Sequence, residues 1–399
     1  MIPYFRDLGD HIAARWRDRG LVPAALPEVA AAALRERPAQ EHTSLAAVLD
    51  AVALGTEPAF VRQRDPSAAF GEPPITVYQG TGFCIEVNLW VNGTTLIHGH
   101  GFSAAFQVLH GSSLESRYTF QPRAAVGAHL RLGDLVLDRI APLGVGDVRE
   151  IPSGDAGIHA LFHLDCPSAT AVVRTHGDPG ALPQWNFHQP GVAFDAAWPD
   201  ALTPLERRQL QLVQSLLQFE GDAVRVRSIL QQARPAFAYP LLGEVMAPVL
   251  LQPGTSLGAM EQALDRWYGW VDCPERDTLH AAAARRLYTR AGLRLREVLT
   301  DPDDRRVAGL LLTAPDRAAV ERYAEAHLEQ TATDLLTGFL DRVGSMPNAF
   351  HPTANVLGLD AAGTALLRDR IGGASAPLDG RGELDRQLTT MSVFASWFR

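Results

Sequence analysis

Cysteine is scarce. The chain has three in 399 residues, Cys84, Cys166 and Cys273, with no C-x-x-C among them. That excludes a zinc ribbon and a disulfide framework, and it fits a reducing compartment. Lysine is absent, so all 36 basic residues are arginine. Those arginines gather into no run or stripe, and the net charge is -9 with an isoelectric point near 5.8. Nucleic acid is therefore not an expected partner. The excess of arginine and alanine marks a GC-rich, bacterial genome rather than a function. No stretch approaches the roughly 18 apolar residues that a bilayer requires. The start, MIPYFRDLGDHIAARW, lacks the apolar core of a signal peptide. A cytoplasmic protein that does not engage a membrane is the expectation.

What is present is ordinary globular composition, 46% hydrophobic and 20% charged, in a chain long enough for two or three domains. The periodicity changes twice. Residues 1–72 carry helical patterns (DLGDHIAARWRDR, LPEVAAAALRER, SLAAVLDAVALG) broken by Pro23, Pro27, Pro38 and Gly55. Residues 73–195 hold short alternating runs with turn residues every ten or so positions, among them ITVYQG, FCIEVNLWV, AAFQVLHG, LESRYTF, HLRLGDLVL and TAVVRTH. That is the mark of an antiparallel barrel or sandwich. Turns are expected at Asn92-Gly93 and Gly111-Ser112. Past Trp198-Pro199-Asp200, residues 196–399 return to apolar spacing of three and four, as in TPLERRQLQLVQSLLQFE and GELDRQLTTMSVFASWF. Residues 372–383, GGASAPLDGRGE, read as a surface loop. The expected class is α+β and multidomain: a β-barrel between a short helical region and a large all-α domain.

The chemistry concentrates in IHGHGFSAAFQVLHG, residues 97–111. On a strand, positions i and i+2 share a face, so His98 and His100 point the same way. Two neutral imidazoles so placed can chelate iron, zinc, copper or nickel. They can equally be two hydrogen-bonded histidines, and a third ligand decides between the readings. GDVREIPSGDAGIHALFHL, residues 146–164, offers His159 at the head of a later alternating strand, with His163 on the same face.

Together these segments resemble the cupins. The first cupin motif corresponds to Gly93, His98, His100 and Gly111, and the second to Gly146, Pro152, Gly154 and His159. The resemblance covers roughly residues 73–180 and implies a cupin barrel with a metal on His98, His100 and His159. The family's glutamate ligand would fall near Ala105, where there is none. Within the family, the three-histidine set and the surrounding residues (Trp90, Gly93, Ile97-His98-Gly99-His100 and Val108-Leu109-His110-Gly111) look similar to the thiol dioxygenases that act on cysteine or 3-mercaptopropionate. That likeness implies Fe(II), with zinc, nickel, copper or manganese as alternatives, and O2 and a small thiol or amino-acid-like molecule as partners. Gln79 stands where such enzymes place a substrate-binding arginine. Gln107, two residues past Ala105, is expected to face inward and touch substrate, or else to be a satisfied core amide. Arg117 and Arg174 are candidates for an anionic substrate, against the commoner surface ion pair. His163 lies on the order of 13 Å along its strand from His159 and is expected to support the site rather than ligate. His110 is expected at the surface.

The helical C-terminal half shows no HExxH, no phosphate loop and no defensible Ser-His-Asp order. A packing, homodimer or protein-partner role is the expectation for it. Two readings from other classes stand beside the oxygenase: a cupin that binds metal or ligand without turnover, and a metal-assisted isomerase or hydrolase.

Overall fold

The computed structural model describes residues 2–55, 61–64, 70–91, 94–179, 183–195, 202–220, 224–251, 262–263, 265–267, 269–348, 351–373 and 393–398. The chain divides into two compact units, Met1–Thr119 with Asp138–Asn186, and Phe120–Leu137 with Phe187–Arg399.

The first unit opens with helices α1 (Pro3–Asp18), α2 (Leu26–Glu36), α3 (Ala39–His42) and α4 (Leu45–Ala53). Phe5, Leu8, Ile12 and Trp16 recur at three- and four-residue spacing and form one buried stripe along α1. Pro27 sits in the first turn of α2, where its missing N–H costs nothing. Ser44 caps α4 by accepting from Ala47 N at 3.2 Å.

Eleven strands follow in order: β1 (Pro74–Gln79), β2 (Phe83–Trp90), β3 (Ile97–His100), β4 (Ala104–His110), β5 (Ser113–Gly127), β6 (Leu130–Leu143), β7 (Val148–Ile151), β8 (Gly154–His163), β9 (Ser168–Thr175), β10 (Trp185–His188) and β11 (Val192–Asp195). Five make an antiparallel sheet in the order β1-β2-β9-β4-β7, and six close into a barrel in the order β10-β11-β6-β5-β8-β3. Strands thus run from 74 to 195 with helices on either side in sequence, as the periodicity predicts.

Period-two alternation decides what each face of the five-stranded sheet meets. Phe83, Ile85, Val87 and Leu89 of β2, with Ala169, Ala171 and Val173 of β9, cluster with Leu8, Ile12 and Leu34 of the helices. The alternate residues face the other way. Ala104, Phe106 and Val108 of β4 and Val172 of β9 pack with Leu143, Ile151 and Leu161 in a second, smaller core. The sheet is therefore buried on both faces, and every residue of β2 is buried. Residues 1–72 are expected to be a helical region. Their helices supply the outer half of the core of the first unit.

The second unit holds the turn end of the β5–β6 hairpin, with β11 paired to β6 through Val192 opposite Leu132. Its helices include Pro204–Glu220, Val224–Gln232, Pro235–Leu251, Arg276–Val298, Pro302–Thr313, Arg317–His327, Ala332–Val343 and Ala361–Ile371. The last four begin at Asp301, Asp316, Thr331 and Asp360, whose side chains accept from backbone N–H groups of the first turn. The region is not all-α as expected, because Pro347–Asn348 and His351–Asn355 pair as a short hairpin. Asn92-Gly93, Trp198-Pro199-Asp200 and most of 372–392 lie outside the described residues. Among the described residues no helix is long and apolar enough to cross a membrane.

Candidate metal centre

β3 and β8 pair antiparallel with His98 opposite His159, and the register shifts before His100 reaches Gly154. His98 and His100 share a strand face by their i, i+2 spacing, and the shift sets the backbone of Gly99 close to Gly154. Gly99 permits it, since a Cβ there would lie 2.9 Å from the Gly154 carbonyl oxygen. Gly154 itself has φ +71°, a conformation that favours glycine. The glycine of IHGH is therefore a close-approach position and that of PSGD a positive-φ position, and both serve the pairing of the two strands that carry the three imidazoles.

His98, His100 and His159 are all buried, and one nitrogen from each lies within 4.8 Å of the others. His98 Nδ1–H donates to the Leu96 carbonyl at 2.7 Å. That assigns the lone pair to Nε2, which is buried with no hydrogen-bond partner among the described residues. His100 Nε2 and His159 Nε2 stand 3.1 Å apart. Two imidazole nitrogens bound at right angles, each about 2.0–2.1 Å from one ion, would stand about 3 Å apart. Burial lowers the pKa of His98 from 6.5 to about 4. Burial also pushes His100 and His159 well below the usual histidine range; neighbouring histidines add to this, with Arg174 acting on His100 and Arg117 on His159. All three are therefore neutral near pH 7, the form that ligates a metal. A buried nitrogen without a partner, a matching separation and neutral donors together fit a divalent transition-metal ion.

The surroundings divide in two. On one side the Nδ1 of His159 lies 4.0 Å from the carboxylate of fully buried Glu115. Glu115 accepts from Arg117 Nε and Arg149 Nε, each at 2.9 Å, and lies 3.6 Å from Arg139. On the other side, Phe102 packs 4.4 Å from the His100 ring, and the Arg174 guanidinium lies over Phe102 at 4.3 Å. Arg174 Nε is 3.5 Å from Glu86 and makes no hydrogen bond among the described residues. Phe70 approaches His98 at 5.5 Å and Phe106 approaches His159 at 6.3 Å, completing an aromatic surround.

The structure brings together only part of the expected set. The three histidines meet. Arg117 stands opposite His159 across β5 and β8, but its Nε is on Glu115 and its Nη2 donates to the Glu150 carbonyl at 2.9 Å. Gln79 is exposed at the end of β1. Gln107 does not face the histidines. Its side-chain oxygen accepts from Ala39 N at 2.7 Å, and its amide donates to the carbonyls of Leu34 and Gly146. The reason is parity. Ala105 packs with the helices, so Ala104 and Phe106 face inward, one residue out of step with the expected alignment. Ala105 is thus not a vacated ligand position. His163 bonds Ser168 through Nδ1 at 2.8 Å and stacks on Trp90 at 4.7 Å, outside the converging group. His110 is exposed, as expected.

Glu115 was not singled out, although LESR carries a signal. A glutamate and an arginine two apart share a strand face, and a carboxylate on an otherwise apolar strand needs partners. Arg174, a sequence candidate for an anionic substrate against the commoner surface ion pair, is distinguished from Arg117 only by the pairing of β9 with β4, which no local pattern reveals.

A scan against protein-family models finds no match, and no curated protein matches the sequence. Solved structures do overlap it. A cupin-2 domain-containing protein from Shewanella frigidimarina is 14% identical, covering 27% of this chain and 82% of its own, with TM-score 0.20. The DMSP lyase DddQ from Ruegeria pomeroyi is 17% identical, covering 46% and 96%, with TM-score 0.25. An oxalate oxidase in complex with the substrate analogue glycolate is 16% identical, covering 41% and 74%, with TM-score 0.22. The first of these is a cupin-domain protein, and overlap at this level says nothing of this chain's activity.

Proposed function

We propose that the protein is a cupin-type oxygenase that holds Fe(II) on His98, His100 and His159 and uses O2 to oxidise a small thiol or amino-acid-like molecule bearing a carboxylate. One observation carries the reading: the converging ligands are three neutral imidazoles with no carboxylate among them, and the Arg174 guanidinium lies over Phe102, which packs on His100. Three neutral donors leave a bound Fe(II) with its +2 charge, which supplies Lewis acidity toward an anionic substrate and one-electron chemistry toward O2. The remaining work falls to the chain. Arg174 binds the substrate carboxylate in the planar, two-pronged manner of a guanidinium, held in place by Phe102 and Glu86. Phe70, Phe102 and Phe106 exclude water around the histidines. Glu115 favours the proton on His159 Nδ1, which leaves Nε2 to ligate.

The test is metal analysis of protein purified without added metal, followed by O2 uptake with cysteine and 3-mercaptopropionate. Iron near one equivalent with thiol-dependent uptake supports the reading. Zinc or nickel at full occupancy with no uptake refutes it and leaves the two readings without O2, a metal- or ligand-binding cupin or a metal-assisted isomerase or hydrolase. In an active protein, Arg174→Gln should raise KM about 10- to 150-fold with kcat less affected, the equivalent of a hydrogen bond to a charged group worth about 1.5–3 kcal/mol.

A further inference from the structure

The second unit contains a cavity of about 160 Å³ lined in part by the β5–β6 turn at Gly127 and Ala128. Its walls are largely apolar, from Leu130, Phe194, Ala236 and Pro240, with buried Tyr239 beneath. Tyr239 adds no negative charge. Its hydroxyl is bonded to His188 Nδ1, and burial pushes its pKa above the ordinary tyrosine value.

Three basic side chains line this cavity: His129, Arg234 and Arg286. Two are matched. His129 Nδ1 lies 2.9 Å from the Asp195 carboxylate. Arg234 grips Glu206 with Nε and Nη2, each at 2.8 Å. Arg286 makes no hydrogen bond or ion pair among the described residues. Room for it comes from Gly243 on the helix Pro235–Leu251, where a Cβ would lie 2.7 Å from Arg286 Nη1. Among the described residues, the cavity therefore carries one unmatched guanidinium in an apolar wall. A half-buried cation so placed calls for an anion, and the planar guanidinium matches a carboxylate.

We propose that this cavity is a binding site for a small monocarboxylate whose body is a single ring or a branched aliphatic group, with its carboxylate on Arg286. The volume sets the body, since an apolar cavity of about 150 Å³ holds one benzene. The lone unmatched charge sets the valence at one.

Benzoate is the probe, titrated calorimetrically into the full-length, metal-loaded chain, with benzyl alcohol as the uncharged ring of the same size. A carboxylate is also expected at Arg174, so the titration is repeated on His159→Ala. One saturable equivalent should remain in His159→Ala, weaken at least tenfold in Arg286→Gln, and be partly recovered in Arg286→Lys. Gly243→Ala, which displaces the guanidinium, should weaken it without touching the charge. Unchanged metal content and circular dichroism show that each cavity variant is folded. No saturable benzoate site, equal binding of benzyl alcohol, or unchanged affinity in Arg286→Gln overturns the proposal. Loss of all benzoate binding in His159→Ala assigns the carboxylate to the metal centre and equally overturns it, whatever the O2-uptake result.

Discussion

Replacing Glu115 with glutamine tests whether a buried carboxylate organises the metal centre. Glu115 is fully buried and accepts two charged hydrogen bonds at 2.9 Å, from Arg117 and Arg149. Glutamine keeps one acceptor but turns an amide N–H toward the second guanidinium. Hydrogen bonds to charged groups contribute about 1.5–3 kcal/mol each, and breaking one side of a buried pair costs about 3–5 kcal/mol. Losing one bond and the shared charge should therefore cost about 3 kcal/mol, read as a lower urea midpoint at unchanged m-value. Arg139→Gln is the control. That arginine is half exposed and 3.6 Å away, so its loss should cost under about 1 kcal/mol. The second readout is metal affinity. Without the carboxylate near its Nδ1, His159 becomes a poorer ligand, and removing such a partner weakens metal binding about 10- to 100-fold. If Glu115→Gln lost stability but kept the parent's metal affinity, the carboxylate would serve the arginines alone and the link to His159 would be refuted.

Three further outcomes follow from the geometry. His98→Ala or His159→Ala should abolish stoichiometric metal while His110→Ala leaves it intact, and equal loss in all three would mean the triad is misassigned. Because burial holds His98 near pKa 4 when folded against 6.5 when unfolded, the unfolded chain binds more protons between those values. Its contribution to the stability of metal-free protein is then complete above pH 6.5 and falls by about 3 kcal/mol toward pH 4; urea unfolding at both ends should show that loss shrinking in His98→Gln, and an identical pH profile in parent and variant would contradict it. Gln107→Ala should cost about 1–3 kcal/mol by leaving the groups at Ala39, Leu34 and Gly146 without their partner, with metal content unchanged; metal loss in a folded variant would return Gln107 to the site.

Local sequence carried the histidines and lost the parity beside them. His98 and His100 are legible because i, i+2 spacing is intrinsic to a strand, and His159 because it opens another alternating run. The face on which β4 presents Ala105 and Gln107 is different in kind. Both faces of that strand are buried, so apolar and small residues occur on each and alternation no longer marks an inside. Only the helices that pack against Ala105 settle it, and they come from the start of the chain, with Leu34 and Gln107 73 residues apart. Arg174 and Glu115 were obscured for a related reason. A charged residue on a strand reads as solvent-facing until long-range pairing shows it enclosed, as β9 does for Arg174 beside β2 and β4. The hairpin at 347–355 is too short for periodicity to register.

The two-faced sheet has a consequence for how this protein can change over evolutionary time. Its larger apolar cluster lies on the side covered by α1 and α2, whereas β2 and β9 send Glu86, Asn88, Thr170 and Arg174 to the other side, with the smaller core around Phe106 and Val172. On the proposed function, most of the cohesion and the ligand-facing polar residues then lie on opposite surfaces of the same strands. Residues that select a ligand can drift without eroding the contacts that keep the chain folded, which relaxes the usual trade-off between activity and stability. A random library confined to Thr76, Asn88 and Thr170 should accordingly keep a far larger folded fraction than one confined to Ile85, Val87 and Ala171, as counted by soluble expression. Equal attrition in the two libraries would show that the inner face holds the fold together as firmly as the outer one.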